Sequence, residues 1–345
     1  MEKLKTVILG ASGYTGAEAA RLIMTHPKLE LTALTANRHA GKAYGQVYPH
    51  MAHQNLPDLI KWQDVSWAET DVVFACLPHG ASEDTIADIA RPGLTVIDLS
   101  ADFRLKDAQT YAKTYGRTHT SPDLLSSAVY GLTEFARPEL PSASLVACPG
   151  CYPTASLLAL LPILDLIDVG NIVIDAKSGV SGAGRKENLA FMYPETAEGA
   201  HAYAVGVHRH GPEIDEKIGA VLGRKTTVSF TPHLLPMNRG MIATINVRLN
   251  ESVSVKDLRA SFENRYQDEA FVHVEPEGIV PHTRHVRASN QCRIGVFSDR
   301  NPRRAVIISV IDNLTKGSSG QAVQNLNAVM GWDETLGLNM VPVFP

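Results

Sequence analysis

Residues Thr6-Val-Ile-Leu-Gly-Ala-Ser-Gly-Tyr-Thr-Gly16 constrain the fold more than any other stretch of this chain. The apolar-rich run Thr6–Leu9 reads as a buried strand. Glycines 10, 13 and 16 follow at three-residue spacing, and Gly16–Thr25 then takes up a helical pattern. A strand that turns directly into a helix needs these glycines for separate reasons. Gly10 permits the tight turn, Gly13 the close approach of a phosphate, and Gly16 the packing of helix on strand. The unpaired amides of the helix start, with Ser12, Tyr14 and Thr15 around them, make a cradle for an anion. Further strands are expected at Glu30–Thr35, Asp71–Cys76 and Thr95–Leu99, with a helix at Ser82–Ala90. Short apolar runs alternating with helical spacing predict parallel βαβ units.

The texture changes after Cys151. Ile172–Lys177 and Val228–Thr231 are apolar runs, and Met241–Leu249 alternates, placing Ile245, Val247 and Leu249 on one face. Alternation of that kind predicts a sheet packed on one side and wet on the other, as in an antiparallel layer. Val253–Asp268 has helical spacing, Ala305–Ile311 reads as a strand, and Gln321–Met330 closes as a helix with Ser318 and Ser319 as caps. A length of 345 residues suits two domains joined at the cysteine loop. The expected class is α/β: a Rossmann-type nucleotide domain over 1–150, then an α+β domain over 151–317 with a largely antiparallel sheet.

Composition excludes several partners. With 20% charged residues, a formal net charge of -4 and no long run of like charge, nothing favours nucleic acid or an anionic membrane. The longest apolar run, Ala155–Leu164, spans about ten residues around Pro162, half of what a bilayer requires. The start, Met1-Glu-Lys-Leu-Lys5, passes into a strand without a signal-peptide core. Four cysteines in so long a chain make no disulfide framework, so a cytoplasmic location is expected.

The second strand ends Thr35-Ala-Asn37-Arg38, with a guanidinium where NAD-specific sites carry an acid for the ribose 2′-hydroxyl. A 2′-phosphate suits that arginine, which favours NADP(H). Cys76-Leu-Pro78-His-Gly80 and Ser100-Ala-Asp-Phe-Arg104 follow two further strands. Ligands of open parallel sheets bind at those strand ends, so Pro78 and Ser100 are cofactor candidates, and Arg104 is a cation at the crevice.

Val146-Ala-Cys-Pro-Gly-Cys-Tyr-Pro-Thr154 sets Cys151 at the expected start of a buried helix, where backbone amides and the helix dipole stabilise a thiolate. Three readings compete: an inert packed cysteine, a thiol–disulfide exchanger built on Cys148-Pro-Gly-Cys151, and a covalent catalyst. A lone pair of cysteines supplies only half a structural zinc site, so no metal is expected. Covalent catalysis needs an acid/base, and Val207-His208-Arg-His210-Gly-Pro-Glu213 offers two histidines ahead of a helix with Pro212 and Glu213 in its first turn. The turn Lys177-Ser-Gly-Val-Ser181-Gly182-Ala-Gly184 adds amides after a strand.

Taken together, Gly10–Gly16, Asp98–Arg104, Pro149–Thr154, Lys177–Gly184, His208–Glu213, Pro232–Gly240 and Asp312–Gly317 resemble the N-acetyl-γ-glutamyl-phosphate reductase family, in the semialdehyde dehydrogenase superfamily. The resemblance covers nearly the whole chain. It implies an enzyme of arginine biosynthesis that reduces an acyl phosphate with NADPH through a cysteine thioester, releasing phosphate and N-acetylglutamate 5-semialdehyde. By motif, Cys151 would be the nucleophile and His210 the acid/base, with His208 as its alternative. Arg104 and Glu213 would orient the substrate, Glu213 on the acetamido N–H. The resemblance also returns the last helix, about 318–345, to the nucleotide domain, so that Asn313 and Gly317 approach the cofactor with Ser181 and Gly182. A dimer or tetramer is expected through the second domain. Cys148 departs from the family, which usually has Asn there; it is read as a tolerated, near-isosteric replacement, with a reversible disulfide to Cys151, suggested by the spacing, as the alternative. Competing functions are another acyl-phosphate reductase, acting on an aspartyl or aminoadipyl substrate, and a non-enzymatic NADP-sensing regulator.

Overall fold

The computed structural model describes residues 2–185 and 187–344; Met1 and Pro345, the outer limits of the two expected domains, lie outside them. The chain forms two compact units, Met1–Pro149 with Ser318–Asn339, and Gly150–Gly317 with Met340–Pro345.

In the first unit the elements run β1 (Leu4–Leu9), α1 (Tyr14–Met24), β2 (Leu29–Thr35), α2 (Tyr44–Val47), β3 (Leu59–Ile60), β4 (Val72–Ala75), α3 (Ser82–Ile89), β5 (Thr95–Asp98), α4 (Ala108–Tyr115), α5 (Pro122–Ser127), β6 (Val129–Tyr130), α6 (Thr133–Ala136) and β7 (Leu145–Ala147). The strands make one parallel sheet in the order β3-β2-β1-β4-β5-β7-β6. Val7, Ile8 and Leu9 are all fully buried, so both faces are covered, as a parallel sheet requires. On one face Val7, Leu9, Val73 and Val96 pack with Ile86 and Ile89 of α3 and with Phe103. Strand order reverses between β1 and β4, and the Gly10 loop leaves β1 at that switch point.

The second unit holds α7 (Cys151–Leu160), β8 (Ile167–Gly179), α8 (Tyr193–Thr196), β9 (His201–Ala202), α9 (His210–Leu222), β10 (Ser229–Leu235), β11 (Met241–Leu249), α10 (Val255–Tyr266), β12 (Val272–Val274), β13 (Cys292–Ser298) and β14 (Arg304–Ile311). Its sheet runs β12-β13-β14-β11-β8-β10-β9 and is mixed but largely antiparallel, as expected: four of its six neighbouring pairs are antiparallel. The core strands β13, β14, β11 and β8 are antiparallel neighbours, but β8 pairs parallel with β10, and β12 parallel with β13. The cause is α9, a crossover helix that brings the chain back in the same direction. Strand β10 also runs past Pro232, which reads in sequence as a break. Proline is tolerated here because only the short β9 lies beyond β10.

Every residue of α7 from Tyr152 to Leu160 is buried, and the helix packs on β11, β14 and α9. A helix buried all round, with only Thr154 and Ser156 as polar side chains in this stretch, has no wet face to offer. The opposite face of the sheet stays partly exposed, with Val173 at 42%.

After β14 a π-helical turn, Thr315–Ser319, leads into α11 (Gly320–Val329), which belongs to the first unit. Ser319 does not cap it as expected; its hydroxyl donates to Thr15 O at 2.9 Å. Residues 320–328 are all buried, including Gln321, Gln324, Asn325 and Asn327. Their amide nitrogens are matched one by one: Gln321 Nε2 donates to Gly131 O at 3.2 Å, Asn325 Nδ2 to Gly131 O at 2.8 Å, Gln324 Nε2 to Glu134 at 3.0 Å and Asn327 Nδ2 to Leu336 O at 2.9 Å, while Asn327 Oδ1 faces His26 Nε2 at 3.0 Å. Buried amides without partners would cost the desolvation of each group.

Candidate active site

The first unit carries a loop shaped by contacts that only glycine allows. Gly10 has φ +75°, and a Cβ there would stand 2.4 Å from Cys76 O. At Gly16 a Cβ would meet Gly10 O at 2.6 Å, the close helix–strand approach read from the sequence. Gly13 differs: its φ is ordinary at -84°, and a Cβ there would make only an ordinary contact, 3.7 Å to Gly10 O. It is the N-cap of α1, with no side chain capping the helix and no acid in the first turn. Uncapped amides and no competing carboxylate fit a nucleotide pyrophosphate. Tyr14 is 37% exposed at this helix start. Asn37 and Arg38 are exposed just past β2, and Pro78 just past β4.

Two expected ligand residues of this unit turn inward instead. Ser100 is buried; its hydroxyl donates to Asp98 at 2.7 Å and accepts the Asp102 N–H at 3.1 Å. Burial pushes Asp98 up to about 6, against the opposing hydrogen bonds from Ser100 and Ser82. Arg104 donates from Nε to Cys148 O at 2.8 Å and from Nη2 to Leu99 O at 3.0 Å, tying the ends of β5 and β7 together. Asp102, which the sequence did not single out, accepts the N–H groups of Gly80, Ser82 and Glu83 and so caps α3 from outside. None of the four cysteines forms a disulfide among the described residues. Cys148 is buried with Asn325 Nδ2 at 3.6 Å from its sulfur, and burial pushes its thiol up to about 12. A thiol held neutral exchanges poorly, which counts against the Cys148–Cys151 disulfide.

The second unit assembles the cysteine site. Cys151 is the first residue of α7, behind the N-cap Gly150, with no capping side chain and no acid in the first turn. The Gly150 N–H donates to Glu213 Oε1 at 2.8 Å, and Glu213 is fully buried in the first turn of α9. Glu213 therefore holds the cysteine loop, where the sequence suggested a substrate contact. A Cβ at Gly150 would come within 2.5 Å of His210 Nε2, so the imidazole lies against the residue before the sulfur. Gly317 approaches from another side; its Cβ would be 2.9 Å from Cys151 Cβ.

The two histidines are distinguished by their surroundings. His208 Nδ1 accepts the His210 N–H at 3.1 Å, which caps α9 and requires the neutral ring. Its ring stands edge-on to Tyr152, Tyr203, Phe230 and His210, the last at 4.8 Å between centroids. Burial, with the Arg209 charge, lowers its pKa to about 4. Tyr203 donates to Tyr152 at 3.2 Å, and Tyr152 to His233 O at 3.2 Å. Nearby in this unit, Asn313 Nδ2 donates to Ser181 Oγ at 2.9 Å, Asn313 Oδ1 accepts the Gly240 N–H at 2.8 Å, and Gly182 sits beside Ser178. Cys151, His208, His210, Glu213 and Gly317 thus come together, as do Ser181, Gly182 and Asn313. Tyr152 and Tyr203 carried no sequence signal; Gly150, inside Pro-Gly-Cys, did.

Residues 5–143 match the semialdehyde dehydrogenase NAD binding domain, and 151–313 the semialdehyde dehydrogenase dimerisation domain. An N-acetyl-gamma-glutamyl-phosphate reductase of Rhodospirillum rubrum is 50% identical over 350 residues, covering 100% of this chain and 99% of its own. That of Rhodobacter capsulatus is 50% identical over 346 residues, covering 99% of each. The chain belongs to the N-acetyl-gamma-glutamyl-phosphate reductase family. Among solved structures, aspartate semialdehyde dehydrogenase II of Vibrio cholerae matches with a TM-score of 0.73 at 16% identity, over 96% of this chain and 99% of that one. Aspartate semialdehyde dehydrogenase of Candida albicans, solved with NADP, gives 0.69 at 16% identity over 95% and 98%. At such identity these structures speak for the fold, which they share with the family.

Proposed function

We propose that this protein reduces N-acetyl-γ-glutamyl phosphate with NADPH to N-acetylglutamate 5-semialdehyde and phosphate, through a thioester on Cys151. The observation that carries the proposal is Cys151 at an uncapped helix N-terminus with His210 Nε2 packed on the preceding glycine, in a chain half identical to such reductases along its length. The family's place in arginine biosynthesis follows with it.

The chemistry of this chain's residues is as follows. The amides and dipole of α7 favour the Cys151 thiolate, and His210 takes the thiol proton. The sulfur attacks the acyl carbon; the C–S bond forms, the C–O bond to phosphate breaks, and phosphate leaves with the electron pair. When bound, NADPH supplies the two electrons and the hydrogen that bring the acyl carbon to the aldehyde level. His210 then lends its proton to the carbonyl oxygen and recovers it as Cys151 leaves as thiolate and the aldehyde is freed. His208, kept neutral and bonded to the His210 N–H, positions that residue, and Glu213 positions the Gly150 loop. In the first unit Gly10, Ser12, Gly13, Tyr14, Thr15 and Gly16 would hold the pyrophosphate, and Asn37 and Arg38 the 2′-phosphate ribose. Pro78 supports the same edge, with Ser100 acting through its turn. Ser181, Gly182, Asn313 and Gly317 of the second unit are assigned to the nicotinamide end. Arg104 is assigned to substrate orientation through the Cys148 turn it holds.

We place the nucleotide in 1–150 with the returning helix, and the catalysis in 151–317. A homo-oligomer formed through the second domain and a reducing, cytoplasmic setting that keeps Cys151 a thiol complete the proposal. The match to a dimerisation domain supports the first; among the described residues no helix is long and apolar enough to cross a membrane. The aspartyl reading gains nothing from relatives at 16% identity. The test is NADP reduction with N-acetylglutamate semialdehyde, with and without phosphate, against aspartate and aminoadipate semialdehydes. Phosphate-dependent turnover confined to the first substrate is expected; turnover on another, or none, would sink the proposal.

A further inference from the structure

We infer that Tyr44 and Tyr48 are positioning residues for the nucleotide pyrophosphate, holding the loop carbonyls so that none is turned against it. The inference rests on the NADP(H) reading of the Gly10–Gly16 loop. Tyr44 opens α2 and Tyr48 follows it, in the connection from β2 to β3. They are 2% and 8% exposed, with rings 5.4 Å apart between centroids. Tyr44 Oη donates to Ala11 O at 3.0 Å, and Tyr48 Oη donates to Ser12 O at 2.9 Å. These are the two peptide carbonyls between Gly10 and Gly13. The carbonyl before them, Gly10 O, accepts the Gly13 N–H at 3.2 Å. On the other side the Gly10 N–H reaches Thr35 Oγ1 at 3.3 Å and the Ala11 N–H reaches Thr35 O at 2.8 Å.

A trans peptide is planar, so its C=O and N–H point opposite ways. Fixing the Ala11 carbonyl on Tyr44 turns the Ser12 N–H away from that tyrosine. Fixing the Ser12 carbonyl on Tyr48 sets the plane that carries the Gly13 N–H, which closes the turn on Gly10 O. All three loop carbonyls are thereby engaged by donors of the protein itself. An incoming anion then meets the uncapped start of α1, and no carbonyl lone pair turned against it. A packing role alone would be served by phenylalanine at both positions. Hydroxyls on two successive carbonyls of this loop are what argue for orientation.

The test compares Tyr44→Phe, Tyr48→Phe and the double variant of the full chain with wild type. Each is titrated calorimetrically with NADPH and with adenosine 2′-monophosphate, which has the ribose phosphate but no pyrophosphate, and each is checked by melting. NADPH affinity should fall roughly 3- to 10-fold per hydroxyl removed, the worth of one neutral hydrogen bond, while adenosine 2′-monophosphate binds within about twofold of wild type. A folded double variant with wild-type NADPH affinity, or one that loses both ligands equally, overturns the inference. Should the double variant not fold, the single variants carry the same comparison. Wild-type protein that binds neither ligand refutes the underlying nucleotide reading, and this inference with it.

Discussion

Gly150→Ala tests the cysteine–histidine geometry without altering either side chain. Gly150 has φ -63° and ψ 154°, extended backbone that alanine adopts without strain. The perturbation is therefore one methyl group. Its carbon would stand 2.5 Å from His210 Nε2 and 2.8 Å from Cε1, whereas ordinary contact begins at 3.4 Å. The imidazole must withdraw by about 0.9 Å, the gap between 3.4 and 2.5 Å. It has little room, with the His208 ring 4.8 Å and the Tyr152 ring 5.9 Å from its own centroid. A catalytic group displaced by about 1 Å loses roughly 100-fold in rate. Overpacking itself costs about 1–3 kcal/mol, a few degrees of melting temperature in a chain of this size. The assay is steady-state NADP reduction with N-acetylglutamate semialdehyde and phosphate, alongside NADPH titration. We expect kcat about 100-fold lower with NADPH affinity unchanged. A folded Gly150→Ala protein with wild-type kcat would show that His210 does no proton transfer at Cys151.

Cys151→Ser should lower turnover by several orders of magnitude and leave NADPH binding intact, because only the covalent step is lost; residual activity above a tenth of wild type would contradict this. One equivalent of iodoacetamide near neutral pH should label Cys151 ahead of Cys148, whose thiol burial keeps protonated; peptide mass spectrometry showing Cys148 modified first would reverse the assignment. Arg38→Asp should narrow the preference for NADPH over NADH, and an unchanged ratio of kcat/KM values would remove Arg38 from the site. His208 has its pKa lowered from 6.5 to about 4, so between those values the unfolded chain binds a proton that the folded one refuses. Stability should fall as pH drops through that window, by at most about 3 kcal/mol from this group. Asp98 and Asp215, both raised to about 6, slope the other way in any variant and cancel in a comparison. Denaturant unfolding of His208→Asn at pH 7 and pH 5 should show the smaller loss; equal losses would refute the reasoning.

The parts legible in the sequence are those where one residue type satisfies one local constraint. Gly10 and Gly16 are such positions, since any Cβ there would strike the backbone. So is α7, whose apolar residues and small hydroxyl side chains leave no charged face for solvent. The strand Met241–Leu249 was read to the residue because alternation reports a half-covered sheet. The illegible parts depend on partners without a side-chain signature. Arg104 meets the carbonyls of Leu99 and Cys148, and Glu213 meets the Gly150 amide. Spacing alone shows none of these backbone partners. Strand β10 was cut short at Pro232, whose missing donor matters less beside a two-residue neighbour. Tyr44 and Tyr48 lie in an irregular connection whose only clue is where their hydroxyls end.

The lateness of α11 has a consequence for biosynthesis. On the ribosome, the first 149 residues emerge with their sheet but without the amide-bearing helix that fills its interior. At roughly 5–20 residues per second, the wait for that helix lasts on the order of ten seconds or more. Throughout it, the acceptors at Gly131 and Glu134 must be served by water or by a chaperone. The nascent nucleotide half is thus left incomplete by the order of translation until residues 320–329 have been made.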